Sequence, residues 1–410
     1  MTDRATEYAR YVVEHGRYPD TGGLCGALHI LACQRHLRDL ERQRTAEFPY
    51  WWDPEAAERI VNYAETLTIA EGLAPKPLKL MGCQIFDLSV VMGWKKTANN
   101  MRRFRRRYKS ISRQQGKSME NGLLLTYIAG FSGYKYGKLF TVATKKRQAR
   151  IAWEEASKFI TIDPDLHELF DVKDYKNTII AKETGCTIEA LSKEAGLDDG
   201  FRAIACSVDE LHQHNGNGIY KALYNGTRSL PETMLSMITT RGKQLNSFCY
   251  EMDKYCQDIL RGLSTAEDFF VDIFCLDPGD DIWTEDNWAK ACPYTCCDPE
   301  RLATLRQDAQ TARDMGGQDL ADFICKSLNM WVKNTDDQFI DPVAWSSCGT
   351  DQRLLDVVAA GHRDCWVGLD LSSGGDLTTL CLGFPLPGRR YYLYSHSFMP
   401  RGRLEEHMET

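Results

Sequence analysis

An α/β fold built on a mostly parallel sheet is what this sequence predicts, and three observations predict it. Between about residues 104 and 240, stretches that read as strands alternate with stretches that read as helices. One strand candidate leads through Ser112-Arg113-Gln114-Gln115-Gly116-Lys117-Ser118 straight into an apolar helix. A later run, Arg202-Ala203-Ile204-Ala205-Cys206-Ser207-Val208, ends in Asp209-Glu210.

The bulk properties bound this reading. At roughly 100–200 residues per domain, a chain of 410 residues holds two or three domains. A composition of 43% hydrophobic, 26% charged and 10% aromatic residues is that of a globular protein with a sizeable core. Fifteen cysteines without a CxxC pair, and no signal peptide, read as free thiols in a reducing compartment. No apolar run approaches the ~18–20 residues of a membrane span, so a cytosolic protein is expected. A net charge of −7 excludes a tight basic coat on nucleic acid and leaves room for local or transient DNA contact.

Residues 1–75 read as helical, because apolar residues recur at spacings of three and four in Tyr8–His15, Leu24–Leu40 and Ala56–Leu67. The turn YPDTGG parts the first two stretches. Pro75-Lys76-Pro77 marks a change of character, and residues 76–262 form the predicted α/β domain. Its strands are placed at Phe104–Ile111, Lys138–Thr144, Asn177–Ala181, Arg202–Val208 and Thr233–Thr240. Its helices are placed at Lys117–Ala129, Lys145–Ile160 and after Tyr220. Residues 263–360 read as a mostly helical linker carrying the acidic, aromatic stretch DPGDDIWTEDNW. From 361 onward, Asp364–Asp370, Asp376–Phe384 and Arg389–Phe398 read as consecutive strands joined by the turns SSGG and PLPG. Such a meander has too few residues to bury a core of its own, so a domain that begins without finishing is expected.

A strand, a loop ending in Gly-Lys-Ser and a helix is the context of a P-loop. Backbone N–H groups of the loop and helix start would surround phosphates. Lys117 would hold the β- and γ-phosphates, and Ser118 would ligate Mg²⁺. Ile111 stands where the usual motif has its first glycine. The bare tripeptide also occurs in surface turns, so the flanking strand and helix carry the inference. In the second half-site, Asp209 would hold Mg²⁺ through water and Glu210 would polarise the attacking water as general base. Taken alone, that stretch is equally a buried strand ending at a solvated acidic turn. Two half-sites in this order favour ATP hydrolysis.

With these motifs in place, the chain resembles the large terminase subunits of tailed phages. The Walker A variant places Arg113 inside the loop, and the Walker B stretch continues as Asp209-Glu210-Leu211-His212. Thr239-Thr240-Arg241-Gly242 matches the family's coupling motif, with Arg241 where alanine is usual. Lys79-Leu80-Met81-Gly82-Cys83-Gln84 is similar to its adenine-recognition segment. Ala143-Thr144 with Gln148-Ala149, Asp286-Asn287-Trp288 and Val367–Ser372 with Asp376 extend the likeness from about residue 75 to 400. The resemblance implies a P-loop NTPase domain of the ASCE type, followed by the start of an RNase H-like nuclease domain at 361–410. It implies an ATP- and Mg²⁺-dependent motor that moves double-stranded DNA into a procapsid. ATP would bind at Gln84, at Ser112, Arg113, Gln114, Gln115, Gly116, Lys117 and Ser118, and at Asp209. Arg113 would reach the γ-phosphate in cis, and Thr240 would couple hydrolysis to movement. Arg202 is either an arginine offered to a neighbour in a homo-oligomeric ring or an ordinary strand-end arginine. The implied partners are DNA, a portal protein and a small terminase subunit, in the cytoplasm of a bacterial host.

The family's nuclease holds Mg²⁺ or Mn²⁺ ions on several carboxylates. Asp370 and Asp376 occupy two matching places, with polar punctuation of a hairpin as the alternative. The remaining acids come from later segments of the family's chain, so an incomplete metal site with little nuclease activity is expected. Two competing readings are a helicase-like P-loop ATPase, marked by single-strand dependence, and an inactive prophage remnant acting as a scaffold. Cys25, His29, Cys33 and His36 fall on one helical face, which cannot wrap a tetrahedral ion. Arg102–Lys109, with six basic residues in eight, is either a DNA-contact patch or a strand edge partly paired with local acids.

Overall fold

The computed structural model describes residues 3–144, 146–192, 202–214, 216–228, 230–332, 347–371, 377–388 and 390–398. The chain divides into two units, residues 1–337 and 338–410.

The N-terminal helices α1 (Arg4–His15), α2 (Ala27–Arg42) and α3 (Pro54–Thr66) follow the apolar periodicity. Two begin at side-chain caps: Asp3 accepts from the Thr6 amide and Asp53 from the Ala56 amide, both at 3.0 Å. These helices pack against the body of the first unit. Arg35 of α2 donates to the carbonyls of Phe269 at 2.7 Å and Ala266 at 2.9 Å. His29 sits with Nδ1 2.8 Å from Asp272 and Nε2 2.9 Å from the Tyr8 hydroxyl. His36 accepts from the Trp94 indole at Nδ1 and meets the Thr6 hydroxyl at Nε2.

Burial pushes the His36 imidazole down to about 4. A histidine whose folded pKa lies below its unfolded value of about 6.5 stabilises the fold above that pH, and the contribution is lost as pH falls toward 4. Urea midpoints should therefore decline between about pH 6.5 and 4, with up to about 3 kcal/mol at stake. The decline should shrink in His36→Gln; an unchanged profile in that variant would show that another group titrates.

Among the described residues, eight strands make the central sheet: β1 (Arg106–Ser110), β2 (Lys138–Ala143), β3 (Phe170–Lys173), β4 (Thr178–Ala181), β5 (Thr187–Ser192), β6 (Ala205–Val208), β7 (Met234–Thr239) and β8 (Phe269–Ile273). Their order is β8-β1-β7-β6-β2-β5-β4-β3. From β8 to β5 all pairings are parallel, and β4 and β3 add antiparallel. Every residue of β6, β7 and β8 is buried, as in a parallel sheet covered on both faces. The five strands expected from sequence are present in slightly shorter form, whereas β3, β5 and β8 were not expected. Strand β8 (FFVDI) lies in the stretch read as helical linker, because periodicity cannot separate a short apolar run from a buried helix. The helices α4 (Gly82–Gly93), α5 (Lys117–Phe131), α6 (Lys146–Ile162), α7 (Phe248–Arg261) and α8 (Pro299–Met315) complete the elements used below.

Strand β1 lies inside the sheet between β8 and β7, not at its edge, and this decides what the basic stretch does. Arg102, Arg103, Arg107 and Lys109 are buried. Arg103 pairs with Asp39 at 2.7 Å and with Glu267. Arg106 pairs with Asp268 at 2.7 Å. Arg107 meets Asp87 at 2.7 Å and Glu120, and Lys109 reaches Glu120 at 2.6 Å and Asp87 at 3.1 Å. The charges are spent inside the fold, so the reading as a DNA-contact patch is withdrawn.

In the second unit, β9 (Trp366–Asp370), β10 (Thr378–Leu386) and β11 (Arg390–Phe398) form the expected antiparallel meander. Val357, Phe384 and Tyr392 make its small buried cluster. Trp366 (62%), Leu369 (61%) and Leu393 (56%) are largely exposed, in keeping with a sheet too short to enclose a core.

Candidate active site

The parallel strands end at one edge of the sheet, where ligands of open α/β folds bind. Strand β1 runs through the loop 111–116 into α5, and β6 runs into Asp209 and Glu210, with β7 lying between them. This placement brings the two half-sites together. The Ser118 hydroxyl donates to Asp209 Oδ2 at 2.7 Å. Lys117 is 6% exposed, and its Nζ lies 3.5 Å from Glu210 Oε1. A hydroxyl and a carboxylate side by side are the hard oxygen donors that suit Mg²⁺.

Glu210 adopts a left-handed backbone with φ +50°, unusual for a side-chain-bearing residue and held by its surroundings. Its amide donates to Asp209 Oδ1 at 2.8 Å. Its Oε2 lies 3.2 Å from His212 Nδ1 and accepts from the Thr240 hydroxyl at 3.5 Å. Burial alone would raise the Glu210 carboxyl, but the His212 bond and the charges of Lys117 and Arg113 outweigh it and hold the group at about 2. Asp209 moves the other way, raised by burial and by the adjacent Glu210 charge. His212 also meets the Thr239 hydroxyl, from its amide and from Nδ1, both at 3.1 Å. The expected coupling residue and the expected base are therefore in contact across β6 and β7. Arg241, the departure from the family motif, is buried; it pairs with Asp253 of α7 at 2.9 Å and donates to the Asn329 carbonyl at 3.4 Å. It is a packing residue here.

The loop itself is tied to the helical segment that follows the sheet. Ser112 Oγ donates to the Ala291 carbonyl at 2.9 Å, and the Arg113 amide donates to the Lys326 carbonyl at 3.0 Å. The Gln115 side chain accepts from the Tyr294 amide at 2.9 Å and donates to Thr295 Oγ1 at 2.7 Å. Ser112 and Gln115 thus turn their side chains to this segment. Arg113 and Gln114 are exposed, and Gln114 has φ +60°. Gly116 sits at φ +75°, where a Cβ would come within 3.3 Å of Gln84 Nε2. The backbone angle favours a glycine there. Gln84 is buried, accepts from the Met81 amide at 3.0 Å, and lines a cavity of about 520 Å³ with Gly116 and Met119. Arg202 is exposed before the opposite end of β6, so at about 3.3 Å per residue it lies roughly 20 Å from Asp209 along the strand and stands outside this pocket.

Two family models match the chain: "Terminase large subunit, ATPase domain" over residues 83–258 and "Terminase large subunit, endonuclease domain" over residues 264–410. The chain belongs to the terminase large subunits. It is 23% identical over 309 residues to the large terminase subunit of Enterobacteria phage HK97, covering 73% of this chain and 58% of that one. It is 24% identical over 206 residues to protein YmfN of Escherichia coli strain K12, covering 50% of this chain and 43% of that one. It therefore spans about half the length of the curated relatives it matches. The crystal structure of the HK97 bacteriophage large terminase aligns with a TM-score of 0.56 at 19% identity, over 86% of this chain and 70% of that chain. That likeness establishes a shared fold.

Within the terminase endonuclease match, Asp370 closes β9 opposite Thr379 and is exposed. Asp376 lies outside the described residues. Of the expected pair, Asp370 alone is among the described residues. Among the described residues no helix is long and apolar enough to cross a membrane. His212 enters the sequence reading only as the end of the stretch Asp209–His212; its bridge between Glu210 and Thr239 has no signal beyond its spacing from Glu210.

Proposed function

We propose that this terminase subunit is an ATP-hydrolysing motor that translocates double-stranded DNA into a procapsid. The observation that carries the reading is the pairing of Ser118 with Asp209 at 2.7 Å beside Lys117 and Glu210 at 3.5 Å, with β7 between the two half-sites. In this proposal ATP lies along residues 112–118, with its base toward Gln84. Mg²⁺, held by Ser118 and Asp209, supplies neutralisation of charge on the phosphates. Lys117 exchanges Glu210 for the β- and γ-phosphates, and Glu210, so released, takes the proton of the attacking water. Arg113 stands ready at the γ-phosphate in cis, and Arg202 serves a neighbouring subunit of a ring. Thr240, hydrogen-bonded to Glu210, carries the change to β7.

The proposed ATPase domain covers residues 76–262 together with β8, after the helical region 1–75. A helical linker follows to about 360, and the nuclease-type unit begins at 361. Asp370 and Asp376 are proposed as metal-binding acids of that unit, for Mg²⁺ or Mn²⁺. A portal protein and a small terminase subunit are the proposed partners, and the host cytoplasm is the proposed site of action.

Phosphate release by the wild type and by Lys117→Ala tests the reading. Wild-type turnover stimulated by duplex DNA is expected, with a loss of about 10²-fold or more in the variant, since a phosphate-clamping charge acts on the transition state. Equal rates in both would leave only a scaffold role, and stimulation by single strands alone would point to a helicase-like motor.

A further inference from the structure

We propose that Arg301, on α8, is a nucleotide-binding residue that holds the phosphate-proximal end of ATP and ADP. This rests on the ATPase reading above and adds to it a residue from outside the P-loop core. The cavity of about 520 Å³ is lined by Gln84, Gly116 and Met119 together with Tyr294 and Arg301. Its size is that of an ordinary small-molecule site. A second cavity, of about 380 Å³, lies against Ser112, Arg113 and Gln114. Arg301 and Gln114 line both cavities. The guanidinium therefore stands where the two spaces meet, beside the exposed turn of the P-loop.

Arg301 is held in place without being used up. Its guanidinium stacks over the Tyr294 ring at 4.5 Å. Its nearest acid, Asp298, lies at 3.6 Å from Nε, too far for a hydrogen bond. Its planar fork is permanently charged and suits two phosphate oxygens at once. Tyr294 is fastened to the loop, because its amide donates to Gln115 and Gln115 in turn donates to Thr295. The stacked pair is thus carried by the P-loop's own side chain, and its distance from the loop is set by two hydrogen bonds. The ligand this arrangement fits is a nucleoside di- or triphosphate bridging the loop and α8. Neighbouring Arg306, on the same helix, spends its charge on Glu285 at 2.6 Å and lines neither cavity.

Calorimetric titration of the purified chain with ADP and with a non-hydrolysable ATP analogue, together with steady-state turnover, tests this. Arg301→Ala should weaken both nucleotides by about tenfold, the worth of one charge-assisted contact, and raise KM by the same factor with kcat kept within about twofold. Arg301→Lys should recover part of the loss, and Arg306→Ala should bind as the wild type does. If Arg301→Ala does not fold, Arg301→Gln, which keeps the packing of the stem, carries the same expectation. Wild-type affinity in Arg301→Ala, even with a lowered Tm, would make the stack purely structural and overturn the inference while leaving the ATPase reading intact. A wild-type chain that binds neither nucleotide would overturn both.

Discussion

Glu210→Gln is expected to lower ATP turnover by about 10²–10⁴-fold while nucleotide binding is retained, because it removes the proton acceptor and little else. The amide has nearly the shape of the carboxylate. It can still accept from Thr240 and face Lys117, so the left-handed turn at φ +50° has no steric reason to relax. What disappears is basicity. In the resting pocket that basicity is suppressed, since Lys117 and His212 hold the carboxyl at about 2 against the effect of burial. A group so acidic is a poor base, and the proposed role requires His212 and Lys117 to loosen their hold on it. Phosphate release at saturating ATP, with ADP affinity measured in parallel, checks both halves. A loss of less than tenfold would remove Glu210 from the role of general base, and a loss of binding would show that its charge instead holds the loop in shape.

The second large effect concerns stability. Arg107→Met should destabilise the first unit by about 3–5 kcal/mol, as removal of one partner from a buried ion pair does. The guanidinium pairs with Asp87 and Glu120 and also donates to Asn121 Oδ1 at 2.9 Å and Ser236 Oγ at 3.1 Å. Asn121 in turn donates to Ser207 Oγ at 2.5 Å. One side chain thus connects β1, α5, β7 and β6. Its removal leaves Asp87 and Glu120 with Lys109 alone. A fall in Tm of roughly 5–15 °C is the expected reading in a thermal melt. Adding Asp87→Leu should return part of that loss, because the remaining Lys109–Glu120 pair is balanced in charge. Unchanged stability together with weaker stimulation by DNA would restore the DNA-contact interpretation of Arg102–Lys109.

What could be read from the sequence was whatever is local. The P-loop is a contiguous strand, turn and helix, and Gly116 is demanded by a backbone angle that one residue alone must adopt. Asp209 and Glu210 end an apolar run in which each residue is buried for the same reason. The meander of the second unit was legible because turn residues punctuate three short runs. Strand β8 was not legible, since four apolar residues around Asp272 are too short a run to carry a period of their own. The basic stretch was ambiguous because its neutralising partners, Asp39, Asp87, Glu120, Glu267 and Asp268, come from four separate segments of the chain. Arg301 gave no signal, because its helix reaches the P-loop only through Tyr294.

The sequence by itself determined the elements that flank the two half-sites and the kind of chemistry: local propensity, turn residues and a phosphate-cradling motif act over a few neighbours and need no partner to be recognised. The tertiary structure alone decided adjacency. It put β7 between the two half-sites, so that Thr240 touches Glu210, and it set β1 inside the sheet, so that Arg103, Arg106, Arg107 and Lys109 became internal struts. Coulomb and hydrogen-bond energies depend on separations of a few ångströms, and across segments a hundred residues apart only the folded sheet sets those separations.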